Sequence, residues 1–254
     1  MNTSFQQWAL SFSGCDGGDI GSPVTPSIWF CGIEWGGGHK NDKDELMRIF
    51  SVPDNTLPNG YSDYYDEQKR FIIGWTENLT YRFNRQAMKL LSAFNGLSVS
   101  EYKQFAEQIK PFSEGSKGYF KMNIYPLSFK NTSHKHWKEG FSEATGFETK
   151  SEYKLWIQKN RFPVMKSWVE QHKPKVIICT GITYLDDFKS AFADNDMQFN
   201  HEVIEGRDLI WGKKHDGSVI FIVPFMSNPN GLTRDVAIQA FGERMKWIST
   251  PNFS

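Results

Sequence analysis

Four short runs constrain this chain more than anything else in it: residues 27–33 (SIWFCGI), 119–125 (YFKMNIY), 175–181 (KVIICTG) and 219–223 (VIFIV). Each has strand length. The first, third and fourth are almost continuously apolar, the pattern of strands buried on both faces rather than on one. Between them lie segments with helical spacing. Residues 84–94 carry apolar positions three and four apart, with Asn84 as a cap and Gly96 as a stop. Further helices are expected over 101–109, over 151–172 with an interruption near Pro163, over 183–193 and over 235–248. Strands alternating with helices predict an α/β fold: a three-layer αβα sandwich around a mainly parallel sheet. No linker or repeat divides the chain, so residues 1–254 read as one domain with 1–26 as a leading loop segment. Turn signals stand at Pro53-Asp54-Asn55 and Pro58-Asn59-Gly60.

Apolar residues make up 39% and charged residues 23% of the 254, which excludes a disordered or coiled-coil chain. Twenty-nine Lys and Arg balance 29 Asp and Glu, so the chain is not one that coats a polyanion by bulk charge. A local basic cleft is compatible with that balance. Lys130, His134, Lys135, His136 and Lys138 form one basic cluster, and Lys213, Lys214 and His215 another. Three widely spaced cysteines argue against a disulfide framework and for a reducing compartment. The opening residues lack a basic and apolar leader, and no run is long enough to span a bilayer. A cytoplasmic location without membrane partners is the expectation.

In parallel sheets, ligands sit at the carboxyl ends of the strands. Here those ends read Glu34-Trp35-Gly36-Gly37-Gly38, Asn123-Ile124-Tyr125-Pro126, Gly181 and Asn228-Pro229-Asn230-Gly231. Each is polar or glycine-rich directly after its strand. The triple glycine lacks the Gly-Lys-Ser/Thr ending of a phosphate loop, and as structure it is an ordinary flexible loop. Glu34 adds chemistry to it: a carboxylate at the mouth of the sheet can act on a water or a developing cation. Asn123 either caps a turn before Pro126 or offers a paired donor and acceptor to a nucleobase edge. Residues 228–234 make an Asn/Pro/Gly turn closed by a Thr233 cap, or present amides and helix-end N–H groups to a ligand with Arg234 near a phosphate. His134 and His136 lack a nearby carboxylate or thiolate to complete a metal site, so a solvated basic loop is the better reading.

In their order these motifs resemble the uracil-DNA glycosylase superfamily, nearest its mismatch-specific branch. That branch reads Gly-Ile-Asn-Pro-Gly after its first strand; here the segment is Gly32-Ile33-Glu34-Trp35-Gly36. Its last motif, Asn-Pro-Ser-Gly-Leu before a helix, is matched by Asn228-Pro229-Asn230-Gly231-Leu232. The resemblance implies a monofunctional glycosylase that acts on duplex DNA without metal or organic cofactor and without an obligatory protein partner. On it, Glu34 handles the attacking water and Asn228 stabilises the departing base. Asn123 reads the flipped base, and Gly32, Ile33, Trp35 and Gly36 shape its pocket. Gly231, Leu232 and Thr233, with Asn230 beside them, belong to a loop that wedges into the duplex. An aromatic stacking on the base is sought among Trp75, Tyr81 and Phe83. Lys130, His134, Lys135, His136 and Arg234 would meet phosphates.

Two features depart from the family pattern. Trp35 stands where the family has Pro, and Gly36 stands where another branch has a Tyr that excludes bulky C5 groups. Uracil-type bases and bulkier C5-modified pyrimidines are therefore both admitted as substrates, the latter implying antiphage defence rather than repair. The longer Glu34 and the missing Pro also admit a non-catalytic nucleic-acid or nucleotide-binding module. A third class, a small-molecule enzyme on a generic α/β sheet, would act on free nucleosides.

Overall fold

The computed structural model of the protein describes all residues except 1, 37–38, 52–63, 67–70, 74 and 251–254. In chain order the elements are α1 (Thr3–Leu10), β1 (Cys15–Gly18), β2 (Ile28–Gly32), α2 (Lys43–Phe50), β3 (Tyr64–Asp66), β4 (Phe71–Ile73), α3 (Trp75–Asn78), α4 (Arg82–Asn95) and α5 (Tyr102–Ile109). Then follow β5 (Tyr119–Asn123), α6 (Glu139–Thr145), α7 (Lys150–His172), β6 (Val176–Thr180), α8 (Leu185–Phe192), β7 (Asn200–Ile204), β8 (Arg207–Lys213), β9 (Val219–Val223) and α9 (Asp235–Ser249). The main sheet has seven strands in the order β1-β5-β2-β6-β9-β8-β7, and β3 pairs with β4 apart from it. The four strands read from the apolar runs, β5, β2, β6 and β9, are parallel and central. Antiparallel strands close both edges.

Alternate residues of the central strands face opposite layers. Trp29, Cys31, Phe120, Met122, Ile177 and Ile222 pack in one core with residues of α1, α2, α6, α7 and α8. Ile28, Phe30, Tyr119, Ile178, Phe221 and Val223 pack in the other, with α4, α5 and α9. Because both faces are covered, the strands show no polar alternation. Each large apolar side chain so enclosed contributes about 1.5–3 kcal/mol from burial. The fold is an αβα sandwich.

Several local expectations are corrected. α4 begins two residues before Asn84, with Tyr81 as its extended cap residue, and the Asn84 amide oxygen instead accepts from Lys121 at 3.4 Å. Gly96 ends that helix with φ 93°. α7 runs through Pro163 without a break. The proline lies on the exposed face of the helix, one turn after exposed Lys159. Arg234, not Thr233, caps α9, and the Thr233 carbonyl accepts from the Gln86 side chain at 3.2 Å. The leading segment is also more than a loop. The Asn2 side chain caps α1, whose Phe5 and Trp8 enter the core, and β1 extends the sheet. The turns expected at 53–55 and 58–60 lie outside the described residues.

Candidate functional site

The carboxyl end of β2 is held by backbone pairing that continues past the strand. The amides of Ile124 and Tyr125 donate to the carbonyls of Gly32 and Ile33, and Phe129 N–H donates to Trp35 O at 3.2 Å. Residues 33–35 are thereby fixed against the segment following β5. Gly32 is required by close approach: a Cβ there would lie 2.3 Å from the Asn123 side-chain oxygen.

A cavity of about 360 Å³ opens at these strand ends. It draws Glu34, Trp35 and Gly36 from the loop after β2, Phe129 and Lys130 from the segment after β5, Tyr184 from the turn after β6, and Phe225, Ser227 and Asn228 from the loop after β9. Its apolar walls are largely aromatic, and Asn131, Thr132 and Thr183 join Glu34, Lys130, Ser227 and Asn228 as polar lining, so the space suits a ligand with flat apolar faces and polar edges. Phe83 packs tilted against Phe225 at 5.7 Å between ring centroids and so backs one wall.

Glu34 supplies the charge. Its side chain is 3% exposed, and Lys150 Nζ, on a side chain fully enclosed, lies 3.0 Å from Oε2 and 3.1 Å from Oε1. The same ammonium stands 3.7 Å from the centroid of Phe129. Burial pushes the Glu34 carboxyl above its ordinary range, and the Lys150 charge pulls against that shift without cancelling it. Burial likewise lowers Lys150, opposed by Glu34. One turn on, Lys154 donates to the Tyr184 hydroxyl at 2.7 Å and lies over that ring. α7 therefore sets two ammonium groups behind one carboxylate on the cavity wall.

A scan against protein-family models and a search of curated proteins both find no match for the chain. Its site is therefore described by its own geometry.

That geometry gathers Ile33, Glu34, Trp35, Gly36, Lys130 and Asn228 around one space and leaves other expected residues outside its lining. Asn123 is buried, but its amide nitrogen faces Gly14 O at 3.4 Å and Asp16 Oδ2 at 3.5 Å. Asp16 also accepts from the Trp35 indole at 3.1 Å and from Lys121 at 3.2 Å. Asn123, expected to read the base, thus lies outside the lining of this cavity, and its amide shares Asp16 with the Trp35 indole. Tyr81 is 62% exposed at the start of α4 and lines no part of the cavity. The side chain of Trp75 lies outside the described residues.

The loop after β9 is corrected at Leu232. Its side chain is fully buried in the core with α4 and α9, so it presents nothing to a duplex. Gly231 lies beneath the loop, where a Cβ would stand 1.7 Å from Phe225 O. Asn230 is exposed and Thr233 half-buried, and exposed Arg234 donates to Glu205 O at 2.6 Å. His134, Lys135 and His136 form a single helical turn, with His134 Nδ1 3.3 Å from the Ser151 hydroxyl.

The second basic cluster is not on this rim. Lys213 ends β8 opposite Val219, the first residue of β9, which is the amino end of the parallel strand. Lys214 is buried and paired with Asp194 at 2.5 Å, and His215 faces Asp196 at 3.3 Å.

Sequence reading missed Lys150, Lys154, Phe129, Tyr184 and Phe225. A signal existed for the first. Lys150 and Arg161 share the helical stripe of Tyr153, Ile157 and Met165, and a cation on an apolar stripe demands a buried acceptor. Among the described residues, no cluster of His, Cys, Asp and Glu has a metal-holding arrangement, and no helix is long and apolar enough to cross a membrane.

Proposed function

We propose that the protein is a DNA glycosylase of the uracil-DNA glycosylase type, hydrolysing the N-glycosidic bond of a flipped pyrimidine nucleotide. The observation that carries this reading is the convergence of Glu34 and Asn228, from opposite ends of the sequence, on one aromatic-walled cavity at the strand carboxyl ends. A base inside a duplex cannot be attacked in the stack, so it is extruded at a cost of a few kcal/mol. The cavity offers rings from Phe129, Tyr184 and Phe225 for its faces and Ser227 and Asn228 for its polar edge. As the bond to the sugar loosens, the sugar gains positive charge and the base negative charge. The Glu34 carboxylate stabilises the first and orients the attacking water, and the Asn228 amide donates to the second. Gly36 leaves room beside the base, which supports C5-substituted pyrimidines as well as uracil.

The test is abasic-site formation on duplexes that differ only in the base: uracil paired and mismatched, thymine mismatched, and bulky C5-modified pyrimidines. Wild-type protein yields abasic product on at least one, and Glu34→Gln does not. No product on any substrate, or equal product from both proteins, overturns the reading.

One observation favours a second reading, a nucleotide-binding module without catalysis. Both Glu34 oxygens lie close to Lys150, an arrangement that commits the carboxylate to a buried ammonium rather than to a water. Tight DNA binding with no abasic product selects that reading.

A further inference from the structure

A second, smaller cavity of about 200 Å³ lies beside the first, and Phe129 and Lys130 line both. Its other walls come from His39 and Asn41 after β2, and from His136, Lys138 and Phe141. Among the described residues its lining contains two lysines, two histidines and one amide, and no carboxylate. Neither Lys130 nor Lys138 has an ion-pair partner among the described residues. The nearby carboxylate, Glu45, is engaged by Lys40 at 3.6 Å.

His39 makes this more than a patch of surface charge. Its backbone N–H donates to Ser128 O at 3.0 Å, which fixes the residue beside the segment leading to Phe129. Its Nε2 is buried and has no hydrogen-bond partner among the described residues. A buried ring nitrogen without a partner forgoes about 1–3 kcal/mol, a cost that a bound acceptor would remove. Burial lowers the His39 pKa, so near neutral pH the ring is uncharged and carries one N–H. With that N–H at Nε2, the ring is a neutral donor that shares the lining with Lys130 and Lys138, an arrangement that suits a tetrahedral oxyanion better than a metal ion, which the ammonium groups would repel.

We propose that this cavity is an anion subsite that holds a phosphoryl group, contributed by the strand phosphate flanking the nucleotide in the larger cavity. The strand assignment rests on the proposed DNA reading; the subsite itself does not. A phosphate held here, across Phe129 from Glu34, would fix the sugar of the extruded nucleotide at the mouth of the larger cavity.

Two measurements on the full chain test it. In the first, the ring signals of His39 and His136 are followed by NMR during titration with inorganic phosphate, against chloride at matched ionic strength. A saturable shift at these rings is expected, weakened at least tenfold in Lys130→Ala/Lys138→Ala, with His201 on β7 unmoved. No saturable shift, or an equal shift at His201, overturns the subsite. In the second, affinity for a short duplex is measured across salt concentrations. Each lost phosphate contact lowers the slope of log affinity against log salt by about 1, so the double variant, which empties a site for one phosphate, should lose about 1. An unchanged slope overturns the strand assignment and leaves a site for free phosphate or a mononucleotide. Neither readout depends on base release, so a protein that forms no abasic sites but binds phosphate here loses the reaction and keeps the subsite.

Discussion

Lys150 Nζ stands 3.0 Å and 3.1 Å from the two carboxylate oxygens of Glu34, and neither side chain is more than 3% exposed. The two residues are 116 positions apart and meet because α7 starts beside the loop that follows β2. Thr149 caps that helix by accepting from Glu152 N–H, which places Lys150 in its first turn. A cation there is opposed by the helix dipole, so the partner carboxylate is needed twice over.

Breaking this pair by one substitution leaves the other charge buried alone. Lys150→Met and Glu34→Gln should each destabilise the protein by about 3–5 kcal/mol, and the double variant by clearly less than their sum. Urea unfolding of the three variants measures this. Additive losses would show that the two groups do not act as a pair.

The raised Glu34 pKa sets a pH dependence. If Glu34 must be ionised to orient water, activity falls on acidification through a value above the ordinary carboxyl range. Lys150 is what pulls that value down, so in a folded Lys150→Met protein the acid limb moves to still higher pH. Stability runs the other way. A carboxyl whose folded pKa is raised binds its proton more tightly in the folded state, so its stabilising share is present at low pH and is lost as pH rises through the folded value. Glu34→Gln should remove that part of the stability profile.

Leu232 separates a core role from a wedge. Its side chain is fully buried, so Leu232→Ala should cost about 2–5 kcal/mol in unfolding free energy. DNA affinity measured well below the melting temperature should change little. Loss of DNA binding at unchanged stability would return Leu232 to the duplex-facing loop.

Arg161 ties the N-terminal segment to α7. Its guanidinium is fully buried and donates to the carbonyls of Ala9, Ser11 and Ser13 and to the Ser13 hydroxyl. Arg161→Met leaves those acceptors unsatisfied at about 1–3 kcal/mol each. Limited proteolysis should then cut within residues 2–14 well before the remainder, and a cleavage pattern equal to wild type would count against the anchor.

The central parallel strands, the helix stop at Gly96 and the Glu34 and Asn228 loops were legible in the chain because local signals determine them. An apolar run long enough for a strand admits little else, and loops after parallel strands share one edge of the sheet. α1, β1 and the β7–β8 hairpin were not legible. α1 is short with few buried residues, β1 is half glycine, and the hairpin's exposed positions leave only a weak apolar pattern. Tertiary structure alone decided which polar groups meet. Leu232 and Asn123 read as site residues by motif, yet Leu232 is buried in the core with α4 and α9, and the Asn123 amide nitrogen contacts Asp16 from outside the cavity's lining. Lys150, whose place on an apolar helical stripe calls for a buried acceptor without saying which, becomes the partner of Glu34. Periodicity encodes which face of an element is apolar, but a buried charge is tolerated only where distant chain brings its counter-charge within about 3 Å, and that distance is set by the fold.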